Sequence, residues 1–252
     1  MIELEQQRGN TLHVGKNPRS HITVILRGFL FKDRGHTFLS RRYSFYVKEC
    51  PLLKRGMNLE METLKFFGTP TLETERLILR KLEISDAQDV FEYAKHPEVA
   101  RYLTWEAHKS VEDAKGFINW AIEKYKKDES GEWGIELKEN GRIIGAMGFV
   151  HLDLQNSCGE IGYALSKEYW GMGVMTEAVS RLIRFGFQEM KLNRIEAVHF
   201  YGNEASGKVM QKAGMSFEGL LRQKMFVKGK FWDVKQYAII KEEWILKKEG
   251  IK

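Results

Sequence analysis

An α+β domain built on one mixed β-sheet is the fold class this sequence predicts, and three observations predict it. Segments that alternate apolar with polar residues recur among segments of helical period. The helical segments are bracketed by residues that cap and stop helices. Their order is strand, two helices, three strands, helix, strand, helix, two strands.

ERLILRKL at 75–82 alternates as a half-buried strand does. SDAQDVFEYAKHP follows as a short helix, with Ser85 as expected N-cap and Pro97 beyond its end. Ser110 opens the next helix, and Asp113 three residues on makes a near capping box. WGIELK, the turn ENG and RIIGAMGFV read as a hairpin, whose Asn140-Gly141 suits a type I′ turn. GEIGYAL at 159–165 is a further strand. The helix over 174–190 gathers Met175, Ala178, Val179, Leu182 and Ile183 on one face and Arg181, Arg184 and Gln188 on the other. RIEAVHFY at 194–201 is a strand. NEASGKVMQKAG is a helix that Asn203 can cap and Gly214 can end, and two strands joined by a turn at Lys228 to Lys230 close the domain.

Charge divides the chain. Residues 1–56 hold eleven Lys and Arg against four Asp and Glu, a net +7, and the remainder carries −1 of the total +6. The domain expectations are therefore a basic extension at 1–56, disordered or dispensable, and a globular domain at 57–252 with its core at about 74–244. Met57 and Met61 lie at the boundary, in the stretch CPLLKRGMNLEMETL at 50–64. A solvated arm is the plain reading of the extension, with an RNA-binding arm as the alternative. Its apolar run ITVILRGFLF, broken by Arg27, is well short of the ~20 residues of a membrane span. Cys50 and Cys158 are far apart, which fits a reducing compartment and a cytoplasmic location. The seven histidines form no metal-ligand spacing, so no metal is expected.

YWGMGVMTEA at 169–178 sets Gly171 and Gly173 before a helix start. Glycine lets backbone N–H groups approach a ligand, and a helix N-terminus adds unpaired donors and a positive dipole end, an arrangement that suits phosphate. A P-loop needs G-x-x-x-x-G-K-[ST], which the chain lacks, and the dinucleotide fingerprint needs a third glycine where Thr176 stands.

Taken with TERLILRKL, EIGYAL, NEASGKVMQKAGM and FEGLLRQ…GKFWDVKQYAI, this loop resembles that of the GNAT acyl-CoA-dependent N-acetyltransferases, and within them the group that acetylates N-terminal alanine or serine of ribosomal proteins. The resemblance spans about Thr74 to Trp244. It implies a mixed central sheet flanked by helices, with acetyl-CoA as co-substrate in the splay between two central parallel strands. Backbone from Trp170 through Gly171, Met172, Gly173 and Val174 to Met175 would hold the pyrophosphate. The strand end at Leu165 and the side chain of Asn203 would meet the cofactor arm. The family's loop usually begins with Gln or Arg where Glu168 stands here, so Glu168 should point to solvent.

Acetyl transfer needs a proton acceptor for the amine and a proton for the departing thiolate. The resemblance puts the first role on Glu160 and the second on Ser206 of the Asn-x-x-Ser motif, because the position where many relatives carry a tyrosine is Met210, which cannot donate. Trp105 lies in the connection that covers the acceptor site in this family. The activity so implied is direct attack by a primary amine, in a ternary complex, with a protein N-terminus or a small amine as acceptor. The rivals are a non-catalytic acyl-CoA sensor and an RNA-associated module tethered by the arm. No membrane partner is expected, and a monomer or a homodimer paired through an exposed edge strand both fit.

Overall fold

The computed structural model describes residues 68–127 and 131–248, together with the backbone of five short strands between residues 3 and 39. Chain contacts divide the protein into two compact units, 1–65 and 66–252. In the first, β1 (Glu3–Glu5), β4 (Leu30–Asp33) and β5 (His36–Leu39) form an antiparallel sheet, and β2 (Leu12–Asn17) pairs with β3 (His21–Leu26). The dispensability expected of residues 1–56 and the boundary stretch 50–64 fall largely outside the described residues.

The second unit carries β6 (Leu72–Glu73), β7 (Leu77–Lys81), α1 (Ala87–Ala94), α2 (Pro97–Ala100), α3 (Val111–Lys126), β8 (Trp133–Leu137), β9 (Arg142–Asp153) and β10 (Cys158–Leu165). It continues through α4 (Val174–Gln188), β11 (Arg194–Phe200), α5 (Glu204–Lys212), β12 (Ser216–Val227), β13 (Lys230–Ile240) and α6 (Lys241–Lys248). The expected order holds, with β6, α2 and α6 added. Eight strands make one sheet in the order β12-β13-β11-β10-β9-β8-β7-β6. Every neighbouring pair is antiparallel except β10 with β11.

The two faces of this sheet are packed differently. On one face α4 and α5 cover a continuous core in which Trp133 of β8 meets Phe185 of α4 edge-on at 5.8 Å, with Met147, Phe149, Leu182 and Ile195 around them. Each such side chain, fully buried, contributes about 1.5–3 kcal/mol. The α4 residues Met175, Ala178, Val179, Leu182 and Ile183 are all buried, as the helical period predicts. On the other face α1 and α3 cover a smaller cluster around Leu82, Val90, Ile118 and Ile143.

Ion pairs fix that smaller layer. The Arg80 guanidinium takes both oxygens of Asp86 at 2.8 and 2.9 Å and also donates to Glu136, so β7, β8 and the start of α1 share one charge. Its pKa rises further above the ordinary guanidinium value, chiefly through the Asp86 hydrogen bond. Asp89 of α1 accepts from Arg142 Nε at 3.1 Å and from the Ile143 N–H at 3.0 Å, pinning α1 to β9.

Three local expectations are corrected. Ser85 does not cap the first helix: it lies within the 3₁₀ turn Ile84–Asp86, and Asp86 instead reaches back to the Glu83 N–H at 2.8 Å. Asn140-Gly141 does not form a type I′ turn, which needs positive φ at both residues. Only Gly141, at φ 70°, is left-handed; Asn140 accepts from the Arg142 N–H through Oδ1 at 3.1 Å, and residues 138–141 form a four-residue loop. The two-residue turn with both φ positive is Lys228-Gly229, at 53° and 75°. Asn203 holds the N-cap position of α5 through its backbone, but its side chain makes no capping bond. Ser110 with Asp113 at α3 agrees with expectation, as does the stop at Gly214, where the Met215 N–H closes on Met210 O.

Among the described residues no helix is long and apolar enough to cross a membrane, and no group of three His, Cys, Asp or Glu could hold a metal ion. At the end of the sheet β12 presents an edge bearing the exposed Phe217, Leu220 and Phe226.

Candidate active site

The site begins where the parallel pair stops pairing. Cys158, Gly159 and Glu160 of β10 register with Arg194, Ile195 and Glu196 of β11, and no pairing follows. Beyond Glu160, β10 continues to Leu165 bonded only to β9, and β11 continues to Phe200 bonded only to β13. Two strand edges therefore face a wedge with their hydrogen-bonding groups turned into it, which is what an extended amide-bearing chain can use.

At the mouth of the wedge lies the glycine loop. Gly171 and Gly173 sit at φ 78° and 77°, a left-handed conformation that ordinary residues adopt only under strain. A Cβ on Gly171 would meet nothing within 4 Å, and on Gly173 only Arg76 Nη2 at 3.7 Å, so the requirement is backbone conformation and not space. The first turn of α4 follows at once. The N–H groups of Gly171 to Thr176 find no acceptor among the described residues, and the Glu177 N–H is the first to bond back, to Gly173 O at 3.0 Å. A run of free donors at a helix N-terminus is an anion site in waiting. Trp170 contributes differently from its neighbours: its N–H is taken by Lys167 O, and its indole Nε1 donates to Leu165 O at 2.9 Å, tying the loop to the strand end.

Arg76, which sequence reasoning missed, braces the loop. It donates from its backbone N–H and from Nε to the Glu177 carboxylate, at 3.0 and 2.7 Å, and from Nη1 to Met172 O at 3.1 Å. Hydrogen bonds from Thr74 and Arg76, working against partial burial, hold Glu177 below the usual carboxylate range. Its negative charge is thereby compensated beside the donors. Glu168 is exposed, as expected.

Glu160 stands at the apex of the wedge, on the face shared with α1 and α3. Burial, reinforced by Glu196 on the neighbouring strand and opposed by His151 and Lys224, raises its pKa above the ordinary carboxylate value. Glu196 is itself held by Arg194 Nε at 2.9 Å and Gln236 Nε2 at 3.2 Å. Glu160 therefore keeps the looser carboxylate of the two.

Ser206 lies on the opposite face. Its Oγ does not bond locally; it lies 2.9 Å from the hydroxyl of Tyr163, which is also 3.2 Å from Ser206 O. Tyr163, three residues into the wedge on β10, is a second functional candidate the sequence did not single out, although it stands in the EIGYAL motif. Burial pushes its pKa up to about 12, so its hydroxyl stays protonated at neutral pH. Met210 is 1% exposed within the core, which leaves it no part in proton transfer. Trp105 packs on the α1/α3 cluster, with its ring 5.4 Å from that of His108.

The comparisons agree with this geometry. Residues 76–216 match the Acetyltransferase (GNAT) domain family. An uncharacterized N-acetyltransferase of Bacillus subtilis, YoaA, is 38% identical over 172 residues, covering 68% of this chain and 97% of its own. The [ribosomal protein uS5]-alanine N-acetyltransferase of Escherichia coli is 26% identical, covering 69% and 92%. Among solved structures, a GNAT-family acetyltransferase from Bacillus anthracis superposes with a TM-score of 0.62 at 30% identity, over 69% of this chain and 99% of that one. The class defined by fold and family match is thus an acyltransferase. The chain belongs to the GNAT acetyltransferases: it is an acetyl-CoA-dependent N-acetyltransferase that binds acetyl-CoA and an amine acceptor.

The residues present fit that co-substrate. The free donors of 171–176 suit its pyrophosphate, and the unpaired edges of β10 and β11 suit the two amides of its pantetheine arm. Bound there, acetyl-CoA supplies an activated acetyl thioester.

Proposed function

We propose that this enzyme acetylates a primary amine, either a protein N-terminus or a small-molecule amine, by direct attack in a ternary complex, with Glu160 as proton acceptor and Ser206 as proton donor. The observation that supports the reading is that Glu160 stands where the parallel ladder ends, and Tyr163, three residues on along the same strand, has its hydroxyl 2.9 Å from Ser206 Oγ. The amine enters from the α1/α3 face, where Glu160 takes its proton directly or through water. The amine nitrogen bonds to the carbonyl carbon, the carbon–sulfur bond breaks, and the sulfur leaves toward the α4/α5 face, where Ser206 Oγ gives it a proton. Tyr163 orients that hydroxyl.

An N-terminal α-amine titrates near ~7.7–8.0 and an alkylamine near ~10.4, so the raised pKa of Glu160 matters more for the second. The relationship to the uS5-alanine enzyme supports a protein N-terminus as acceptor. Free-thiol release from acetyl-CoA, followed against a panel of N-terminal peptides and small amines, tests the proposal. Turnover on one class names the acceptor; unchanged kcat/KM in both Glu160→Gln and Ser206→Ala would remove these residues from the chemistry.

A further inference from the structure

We infer that Glu132 forms the far end of the acceptor site and receives a second cationic group, so that the preferred acceptor is a dication carrying its other charge several ångströms from the nitrogen that is acetylated. This rests on the amine-transfer reading above and adds the substrate's charge pattern.

The placement comes from the sheet. Glu132 immediately precedes β8 on the face shared with α1 and α3, and its carboxylate lies over Gly148 of β9. A Cβ built on Gly148 would stand 2.6 Å from Glu132 Oε2 and 2.9 Å from Cδ. Gly148 registers with Gly162 of β10, and Gly162 shares its face with Glu160 two residues earlier. Two residues along a strand and one strand across put the two carboxylate positions on the order of 8 Å apart. Between them the sheet carries glycine, and the Val150 side chain above Gly162 is 52% exposed. The strip is therefore a short floor capped by the Val150 side chain, with an acid at each end.

Among the described residues the Glu132 carboxylate forms no ion pair or hydrogen bond, although the Lys124 charge is close enough to act on it. The groups near it are Tyr93 of α1 and Tyr125 and Lys124 of α3. Tyr125 is committed, donating its hydroxyl to the Glu132 carbonyl and accepting from the Leu82 N–H. The Lys124 ammonium lies over the Trp120 ring at 4.4 Å. Burial, opposed by the charge of Lys124, pushes the Glu132 carboxyl up to about 7, the behaviour of a carboxylate withdrawn from water. An ammonium or guanidinium arriving with the acceptor would supply the missing partner. Two sources offer that chemistry: a small aliphatic diamine, or a peptide whose first side chains after the reacting N-terminus include Lys or Arg.

The decisive measurement is calorimetric titration of the full chain, saturated with coenzyme A so that no turnover occurs, with 1,6-diaminohexane, hexylamine and the dipeptide amides Ala-Lys and Ala-Leu. The dicationic member of at least one pair should bind tenfold or more tightly than its monocationic partner, and Glu132→Gln should reduce that ratio to within twofold, with Glu132→Asp between. Preference in the diamine pair alone identifies a small-molecule acceptor, and in the peptide pair alone a protein terminus. Equal ratios in wild type and Glu132→Gln, or no preference for a dication in wild type, overturn the inference. Thiol release with acetyl-CoA on the same compounds separately judges the transfer reading, since its absence would leave the binding ratios intact.

Discussion

The two faces of the sheet obey opposite rules. Under α4 and α5 the strands carry large side chains, Trp133, Met147 and Phe149, and the face is filled. Under α1 and α3 the strands carry Gly134, Ala146, Gly148, Gly162 and Ala164, and the room above them is taken by side chains from elsewhere, Leu82 over Gly134, Glu132 over Gly148 and Val150 over Gly162. The difference teaches that one strand can serve both purposes at once, because alternate residues look to opposite sides. The first face is packed with the strands' own large side chains, and the second is the one by which the proposed acceptor would enter.

The strongest way to break this division of labour is at the loop that feeds the wedge. Gly173→Val places a β-branched residue at φ 77°, where only backbone strain opposes it. Acetyl-CoA binding measured by calorimetry should weaken by roughly 100-fold, equivalent to about 2.7 kcal/mol, with little change in far-ultraviolet circular dichroism. Next in size, Glu160→Gln should lower kcat/KM by roughly 100-fold at neutral pH, the usual scale of general-base catalysis. Because the folded pKa of Glu160 is raised, the base form is lost at a higher pH than for an ordinary carboxylate. The acid limb of the pH–rate profile should lie correspondingly high in wild type and disappear in the variant.

On the opposite face Ser206→Ala should lower kcat by about tenfold and leave KM for the amine near its wild-type value, since a proton to sulfur is needed only as the bond breaks. Tyr163→Phe should act in the same direction and more weakly, an ordering that single-turnover thiol release can check.

The smallest effect sharpens the contrast through stability. Glu132 has a folded pKa of about 7 against an unfolded value of 4.5, so the folded state holds the extra proton between those limits. Stability therefore falls as pH rises through that window and stays lowered above it. Glu132→Gln should remove the slope and raise stability at pH 8 by about 3 kcal/mol, seen as a higher Tm.

The filled face was legible in the sequence for the same reason that it is filled. Met175, Ala178, Val179, Leu182 and Ile183 repeat with helical period, and Leu77 and Leu79 alternate, so burial wrote itself into the pattern. The glycine loop was legible because positive φ demands glycine. What could not be read depends on residues far apart in the chain. Arg76 meets Glu177 across 101 positions, and Tyr163 meets Ser206 across 43. Glu132 gains meaning only once Gly148 lies beneath it. Ser85 and Asn140 were misread for a local reason: each is a good cap or turn former, and a neighbouring Asp86 or a longer loop took the role instead.

The parallel ladder joins β10 to β11 through three residue pairs alone. The sheet is in effect two boards, β6 to β10 and β11 to β13, meeting along a short spine. A molecule that slides between the boards and bonds to both works as a splint. Bound coenzyme should therefore act as a structural member of this domain as well as a reactant, stiffening the joint it occupies.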